Sequence, residues 1–311
     1  MNNTEILLAV RDLTVTVPGP RGTVRPVRGV DLEIRKGEAV GLVGESGCGK
    51  STLAAAVMRL LPSDWSIAGE IRWRGADLME LDQESMRRIR GRNIGMVFQE
   101  PLSALDPLIK VGAQISETLR AHGIEDRRGK RSRELLCMVS LDEGVEVSYP
   151  HPLSGGMLQR VMIAIALAAG PSLLLADEPA SALDAPLQTQ LVDLLSDLQQ
   201  RLSLSLLLIS HDLALVARVC SQITVMYAGQ VVEVGPSEQV LARPLHPYTS
   251  MLLRASRMEG RAGPGSPPDL LDPYERCPFY PRCPDPLPCC NDQLPSLMGT
   301  DGRRSRCHAH A

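Results

Sequence analysis

One string constrains this chain more than any other. Gly44-Glu45-Ser46-Gly47-Cys48-Gly49-Lys50-Ser51 fits G-x-x-x-x-G-K-[S/T], and Thr52 follows it. A short apolar run, Ala39 to Val43, leads into the string, and a helical stretch, Lys50 to Leu61, leads out until Pro62 stops it. Strand, glycine turn and helix in that order open an α/β unit. The residue types match a phosphate cradle. Glycines let backbone N–H groups close around phosphate oxygens, Lys50 reaches the β- and γ-phosphates, and the Ser51 hydroxyl can ligate Mg²⁺. The positive end of the helix favours the negative charge. Cys48 fills a free position of the motif and reads as a small spacer rather than a redox group.

The rest of the chain keeps the same rhythm. Leu7 to Val17 and Val27 to Ile34 alternate as strands, with a loop at Pro18 to Gly22. Residues 84–142 read as mostly helical, interrupted by a strand at Ile94 to Phe98. Ser154 to Ala169, Pro186 to Arg201 and Leu213 to Val219 read as helices. Ser172 to Ala176 and Leu204 to Ile209 read as buried strands, and Ile223 to Tyr227 with Gln230 to Val234 as a hairpin. Buried strands alternating with helices predict a mostly parallel sheet covered on both faces.

Composition excludes several classes. With 33 Lys+Arg against 36 Asp+Glu, the net charge of −3 excludes a strongly basic nucleic-acid binder. Aromatic content of 3% argues against a base-stacking platform, so no nucleic-acid partner is expected. The longest apolar run, Val161 to Ala169, is too short to span a bilayer. The N-terminus lacks the apolar core of a signal peptide. The chain is therefore expected in the cytoplasm, with any membrane attachment made through a partner.

A phosphate loop needs a carboxylate for the Mg²⁺ shell. Leu173-Leu174-Leu175-Ala176-Asp177-Glu178 supplies one at the C-terminal end of a buried strand, where ligands bind in such sheets. Glu178, one residue on, can act as general base on a water attacking the γ-phosphate.

Leu153-Ser154-Gly155-Gly156-Met157-Leu158-Gln159-Arg160 resembles the signature motif of ATP-binding cassette (ABC) ATPases. A serine and two glycines opening a helix make a second anion site on the same chain. The resemblance covers about residues 5–258. It implies that two cassettes meet head to tail, each ATP lying between the phosphate loop of one and the signature of the other. It also implies roles for Gln99 (the Q-loop), Asp184 in Ser181-Ala182-Leu183-Asp184 (the D-loop) and His211 (the switch histidine). On that reading Lys50, Gln99, Glu178 and His211 are catalytic. Gly44, Glu45, Ser46, Gly47, Cys48, Gly49, Lys50, Ser51, Thr52, Gln99, Ser154, Gly155, Gly156, Asp177, Glu178, Asp184 and His211 contact nucleotide, and Ser51, Gln99 and Asp177 hold Mg²⁺. One element departs from the family. Residues 11–36 contain no Phe, Tyr, Trp or His to stack on adenine, leaving Val17 or Val24 for apolar contact.

Two further strings narrow the resemblance to dipeptide, oligopeptide and nickel importers: Val97 to Pro107, and Leu245-His246-Pro247-Tyr248-Thr249. The tail, from Cys277-Pro278-Phe279-Tyr280-Pro281-Arg282-Cys283-Pro284 onward, is similar to the C-terminal extension of that group. Its cysteines Cys277, Cys283, Cys290 and Cys307 follow C-x5-C-x6-C-x16-C, and Cys289 is off the pattern. Four thiolates suit either Zn²⁺ or an iron–sulfur cluster; the resemblance implies a 4Fe–4S cluster. The expected organisation is an ABC ATPase domain at 1–258 with a helical subdomain at about 84–170, a Gly/Pro-rich linker at 259–276, and a Cys-rich extension at 277–311. The fold implied is an α/β P-loop NTPase of ABC type, with a mostly parallel core sheet and an antiparallel β part. The function implied is an ATP-hydrolysing importer subunit for peptides or nickel, peripheral on the cytoplasmic face of the inner membrane. Its partners would be two integral-membrane permease subunits, a second ABC ATPase and, indirectly, a solute-binding protein. The alternative is a soluble ABC ATPase acting on ribosomes or DNA.

Overall fold

The computed structural model describes residues 5–20, 22–256, 265–266, 268–271, 275–300 and 302–310. Most of the expected linker at 259–276 lies outside the described residues. The chain divides into two compact bodies. One comprises Met1–Arg35, Ala39–Glu80 and Ile209–Ala311; the other comprises Lys36–Glu38 and Leu81–Leu208.

In the first body, strand Ile6–Gly19 pairs antiparallel with Gly22–Arg35 and, on its other edge, with Ser66–Trp73. The alternation read from the sequence is the reason: Leu8, Val10, Leu13 and Val15 face one core with Val27, Val30 and Ile34, all fully buried. The register against Ser66–Trp73 slips between Arg11 and Thr14. Asp12 sits there with φ 45°, and Gly69 opposite has φ 97°. A Cβ on Gly69 would lie 2.5 Å from the Asp12 carbonyl oxygen, so the bulge requires glycine. Strand Ala39–Val43 runs parallel to Gln222–Tyr227, pairing Val40 with Gln222 and Val43 with Val225. Gln222–Tyr227 continues antiparallel into Gln230–Pro236, which pairs with the short tail strand Arg304–Ser305.

Helix Lys50–Val57 is shorter than its apolar pattern predicts. Arg59 adopts φ 50°, its N–H bonds the Ala56 carbonyl, and the Leu60 N–H bonds that of Ala55. This is a Schellman end with arginine where glycine is usual. The sequence therefore carried no stop signal before Pro62.

In the second body, Ile94–Val97 lies parallel to Leu173–Asp177. The expected helical stretch resolves into Gln83–Ile89, Pro101–Ala104, Val111–Ala121 and Lys130–Met138. Helix Gly155–Leu167 buries Leu158, Val161, Met162 and Ile163. Helix Ala185–Leu202 buries Leu191, Leu194, Leu195 and Leu198, one face at helical spacing.

Candidate functional site

The phosphate loop lies between a fully buried strand, Ala39–Val43, and the N-terminus of Lys50–Val57. Gly49, with φ 107°, makes the turn into the helix; a Cβ there would lie 1.9 Å from the Pro26 carbonyl oxygen. The Lys50 ammonium donates to the carbonyls of Gly44 at 2.8 Å and Glu45 at 3.0 Å. These bonds hold the lysine against the rim of its own loop. Cys48 is buried, and burial pushes its thiol above the usual range, with Lys50 opposing. A neutral buried thiol fits the spacer reading.

The tail reaches this loop. The Glu45 N–H donates to the Tyr248 hydroxyl at 2.7 Å. Its carboxylate accepts a two-pronged bond from Arg282, Nη1 to Oε2 at 2.7 Å and Nη2 to Oε1 at 2.8 Å. Phe279 packs edge-on to Tyr227 and Tyr248, with ring centroids 5.3 and 5.6 Å away. His211, exposed after strand Ser205–Ser210, also belongs to this body.

The second body carries the remaining sequence-predicted residues. Asp177 ends a buried strand and is itself buried, as is Glu178. Glu178 holds φ 44°, a left-handed conformation rare for a non-glycine residue. Its carbonyl accepts from both the N–H and the hydroxyl of Ser181, fixing the turn. Ser154 caps helix Gly155–Leu167 by accepting the Met157 N–H at 3.3 Å, and Asp184 caps Ala185–Leu202 through the Leu187 N–H at 3.0 Å. Ser154, Gly155 and Asp184 are exposed, while Gly156 is buried. Gln99 is exposed just beyond strand Ile94–Val97.

A second grouping lies in the tail. Cys277, Cys283, Cys290 and Cys307 line one cavity of about 190 Å³ together with Phe279, His308 and His310; Cys289 is absent from its wall. The Cys277 N–H donates to the Cys290 carbonyl. Burial pushes the Cys277 thiol up to about 11 and raises those of Cys283 and Cys307. Among the described residues no group of three His, Cys, Asp or Glu side chains is arranged to hold a single metal ion.

Comparison with known proteins decides the family. A profile described as "ABC transporter" matches residues 27–181, and one described as "Oligopeptide/dipeptide transporter, C-terminal region" matches residues 232–290. The oligopeptide transport ATP-binding protein OppD of Salmonella typhimurium is 39% identical over 312 residues, covering 97% of this chain and 93% of that protein. The chain belongs to the ABC transporter family. The dipeptide transport ATP-binding protein DppD of Bacillus subtilis is 41% identical over 304 residues, covering 94% of this ABC ATPase and 90% of its relative. A dimeric bacterial ABC transporter cassette matches with a TM-score of 0.67 and 30% identity, covering 74% of this chain and 99% of that one. A post-hydrolysis dimer of the same cassette, bound to ADP and Pi, matches at 0.67 and 28%. This ABC ATPase is an ATP hydrolase whose activity is coupled to transport. The fold expected from the signature motif is the fold observed.

Sequence reasoning missed Tyr227, Tyr248 and Arg282 as neighbours of the phosphate loop. Tyr248 stood in a string read only as a family mark, and Arg282 stood between two cysteines that drew attention to metal.

Proposed function

We propose that this ABC ATPase powers an importer for small peptides. The relatives described above are named for peptides, which favours that cargo over nickel. Their names also favour a transporter over a ribosome- or DNA-associated factor. One observation carries the arrangement: a phosphate loop and an exposed Ser154–Gly155 helix start occur in the same chain, each able to serve as one half of a nucleotide site. A second cassette, identical or paralogous, supplies the complementary halves. The exposed Asp184 belongs to the same contact.

The chemistry follows from the residues. Lys50 exchanges its bonds to Gly44 and Glu45 for the β- and γ-phosphates, and the loop N–H groups take the remaining phosphate oxygens. The oxygen donors of Ser51, Asp177 and Gln99 suit Mg²⁺, a hard cation; when bound it neutralises phosphate charge. Glu178 takes the proton of the attacking water, and His211 orients water and γ-phosphate.

Membrane attachment is assigned to two permease subunits, in keeping with relatives named as transport ATP-binding proteins; no helix among the described residues is long and apolar enough to cross a membrane. Phe98, Leu102 and Leu108 follow Val97 with exposures of 42, 63 and 83%, an apolar segment beside Gln99 suited to a permease helix. The site of action is then the cytoplasmic face of the inner membrane, with a solute-binding protein delivering peptide from the other side. The proposed domain limits remain 1–258, 259–276 and 277–311.

The cavity lined by Cys277, Cys283, Cys290 and Cys307 fits a group larger than one ion, and soft thiolates suit iron. A 4Fe–4S cluster there would supply bonds that tie down an extension too small for a core of its own. Burial raises the Cys277, Cys283 and Cys307 thiols above the usual range, so loading releases protons and is opposed by acid. Anaerobically purified protein should carry about four irons per chain, lost on substituting any of the four cysteines and kept in Cys289→Ser. One zinc per chain would overturn the cluster.

Reconstitution tests the function. The full transporter in proteoliposomes should hydrolyse ATP faster when its binding protein carries peptide. Stimulation by nickel and by no peptide would redirect the cargo.

A further inference from the structure

The contact between Arg282 and Glu45 joins the cysteine-bearing extension to the loop that holds phosphate. Arg282 lies in the single turn Tyr280–Arg282, between Cys277 and Cys283. Its side chain is 3% exposed and that of Glu45 is 23% exposed. The guanidinium lies 5.7 Å from the centre of the Tyr227 ring and 6.0 Å from that of Phe279. Nη1 also approaches the Tyr227 hydroxyl at 3.4 Å, and Nη2 approaches the Met251 sulfur at 3.8 Å. A forked bond in this setting fixes both partners in direction as well as distance.

Charge gives the contact its consequence. Glu45 is the second residue of the phosphate loop, and its own carbonyl holds Lys50. A carboxylate at that position opposes an incoming triphosphate unless a cation neutralises it. Loop residues provide Lys50 for the phosphates; Arg282 neutralises Glu45 from outside the loop.

We propose that Arg282 is a positioning residue for the phosphate loop: by neutralising and orienting Glu45, it makes triphosphate affinity depend on the folded cysteine-rich extension. The proposal rests on reading residues 44–52 as the nucleotide site. It assigns the extension a direct influence on ATP affinity, with no part in the hydrolytic step.

The test uses the purified full-length chain, Mg²⁺ and a non-hydrolysable ATP analogue, with steady-state ATP hydrolysis measured alongside. Arg282→Ala should weaken analogue binding on the order of tenfold, within the range of couplings between sites. It should raise KM for ATP while leaving kcat close to wild type. Adding Glu45→Gln to Arg282→Ala should restore most of the affinity, because the unneutralised carboxylate is gone. A structural role confined to packing would give no such rescue. Wild-type affinity in Arg282→Ala, or a double variant no tighter than the single, overturns the proposal. Should Arg282→Ala fail to fold, Arg282→Lys, which keeps a charge but loses the two-pronged bond, replaces it. A smaller loss of analogue affinity at unchanged kcat supports the proposal, and wild-type affinity overturns it. Lys50→Ala keeps the two readings apart: analogue binding undiminished in that variant refutes the nucleotide site itself, whatever Arg282 does.

Discussion

The phosphate loop and the cysteine-rich extension belong to the same compact body and hold their shapes in opposite ways. The loop is written locally. Gly49 turns it, Lys50 closes on carbonyls five and six residues back, and the flanking strand and helix anchor its ends. The extension is written remotely. Phe279 lies among Tyr227, His246 and Tyr248, Arg282 clasps Glu45, Arg304–Ser305 adds to strand Gln230–Pro236, and Arg306 donates to the Val231 carbonyl. Local contacts lie close in sequence and leave a motif. Remote contacts form only once the chain has folded and leave none that spacing reveals.

The first way to break this contrast is to remove a remote anchor. Phe279 is 2% exposed, and Phe279→Ala should destabilise the protein by about 3–5 kcal/mol, the usual cost of emptying a buried aromatic site. Chemical denaturation monitored by Tyr or Trp fluorescence reads it. If the extension instead stood alone, unfolding of the first body would be unmoved.

His246 sharpens the comparison by a smaller amount. It is fully enclosed, its Nδ1 accepts the Tyr248 N–H at 3.0 Å, and burial pushes its pKa down from 6.5 to about 3. A hydrogen bond with the Arg306 backbone opposes this, and the Arg306 side-chain charge adds a smaller push downward. The unfolded chain takes up a proton near pH 6.5 that the folded chain refuses. The neutral histidine's contribution is therefore complete above that pH and is lost as pH falls toward 3. The loss reaches up to about 1.4 kcal/mol per pH unit. His246→Gln should flatten the fall of the thermal midpoint between pH 6.5 and 4, compared with wild type. An unchanged slope would mean that the imidazole is not the group refusing the proton.

The same contrast explains what was legible in the sequence. Strands Ile6–Gly19 and Gly22–Arg35 were readable because each buries alternate residues. The phosphate-loop string was readable as a motif because phosphate chemistry demands glycine, lysine and hydroxyl at fixed spacing. The end of helix Lys50–Val57 was not, since Arg59 takes a conformation usually left to glycine. Strand Ser66–Trp73 was missed: its residues 66 and 68–70 are exposed, and its long partner strand Ile6–Gly19 lies fifty or more residues earlier. Glu178 was read as a base from its place after a buried strand; its left-handed backbone had no sequence signal. The tail cysteines were legible as a set by spacing, whereas Arg282 needed Glu45, 237 residues away, to acquire meaning.

The central claim is that this chain hydrolyses ATP with Lys50 holding phosphate and Glu178 activating water. Measuring ATP binding and turnover in the same Glu178→Gln preparation tests it most directly. The account predicts wild-type or tighter ATP binding, accumulation of a closed dimer, and a turnover rate lower by about 10²–10⁴. Hydrolysis at the wild-type rate would contradict it.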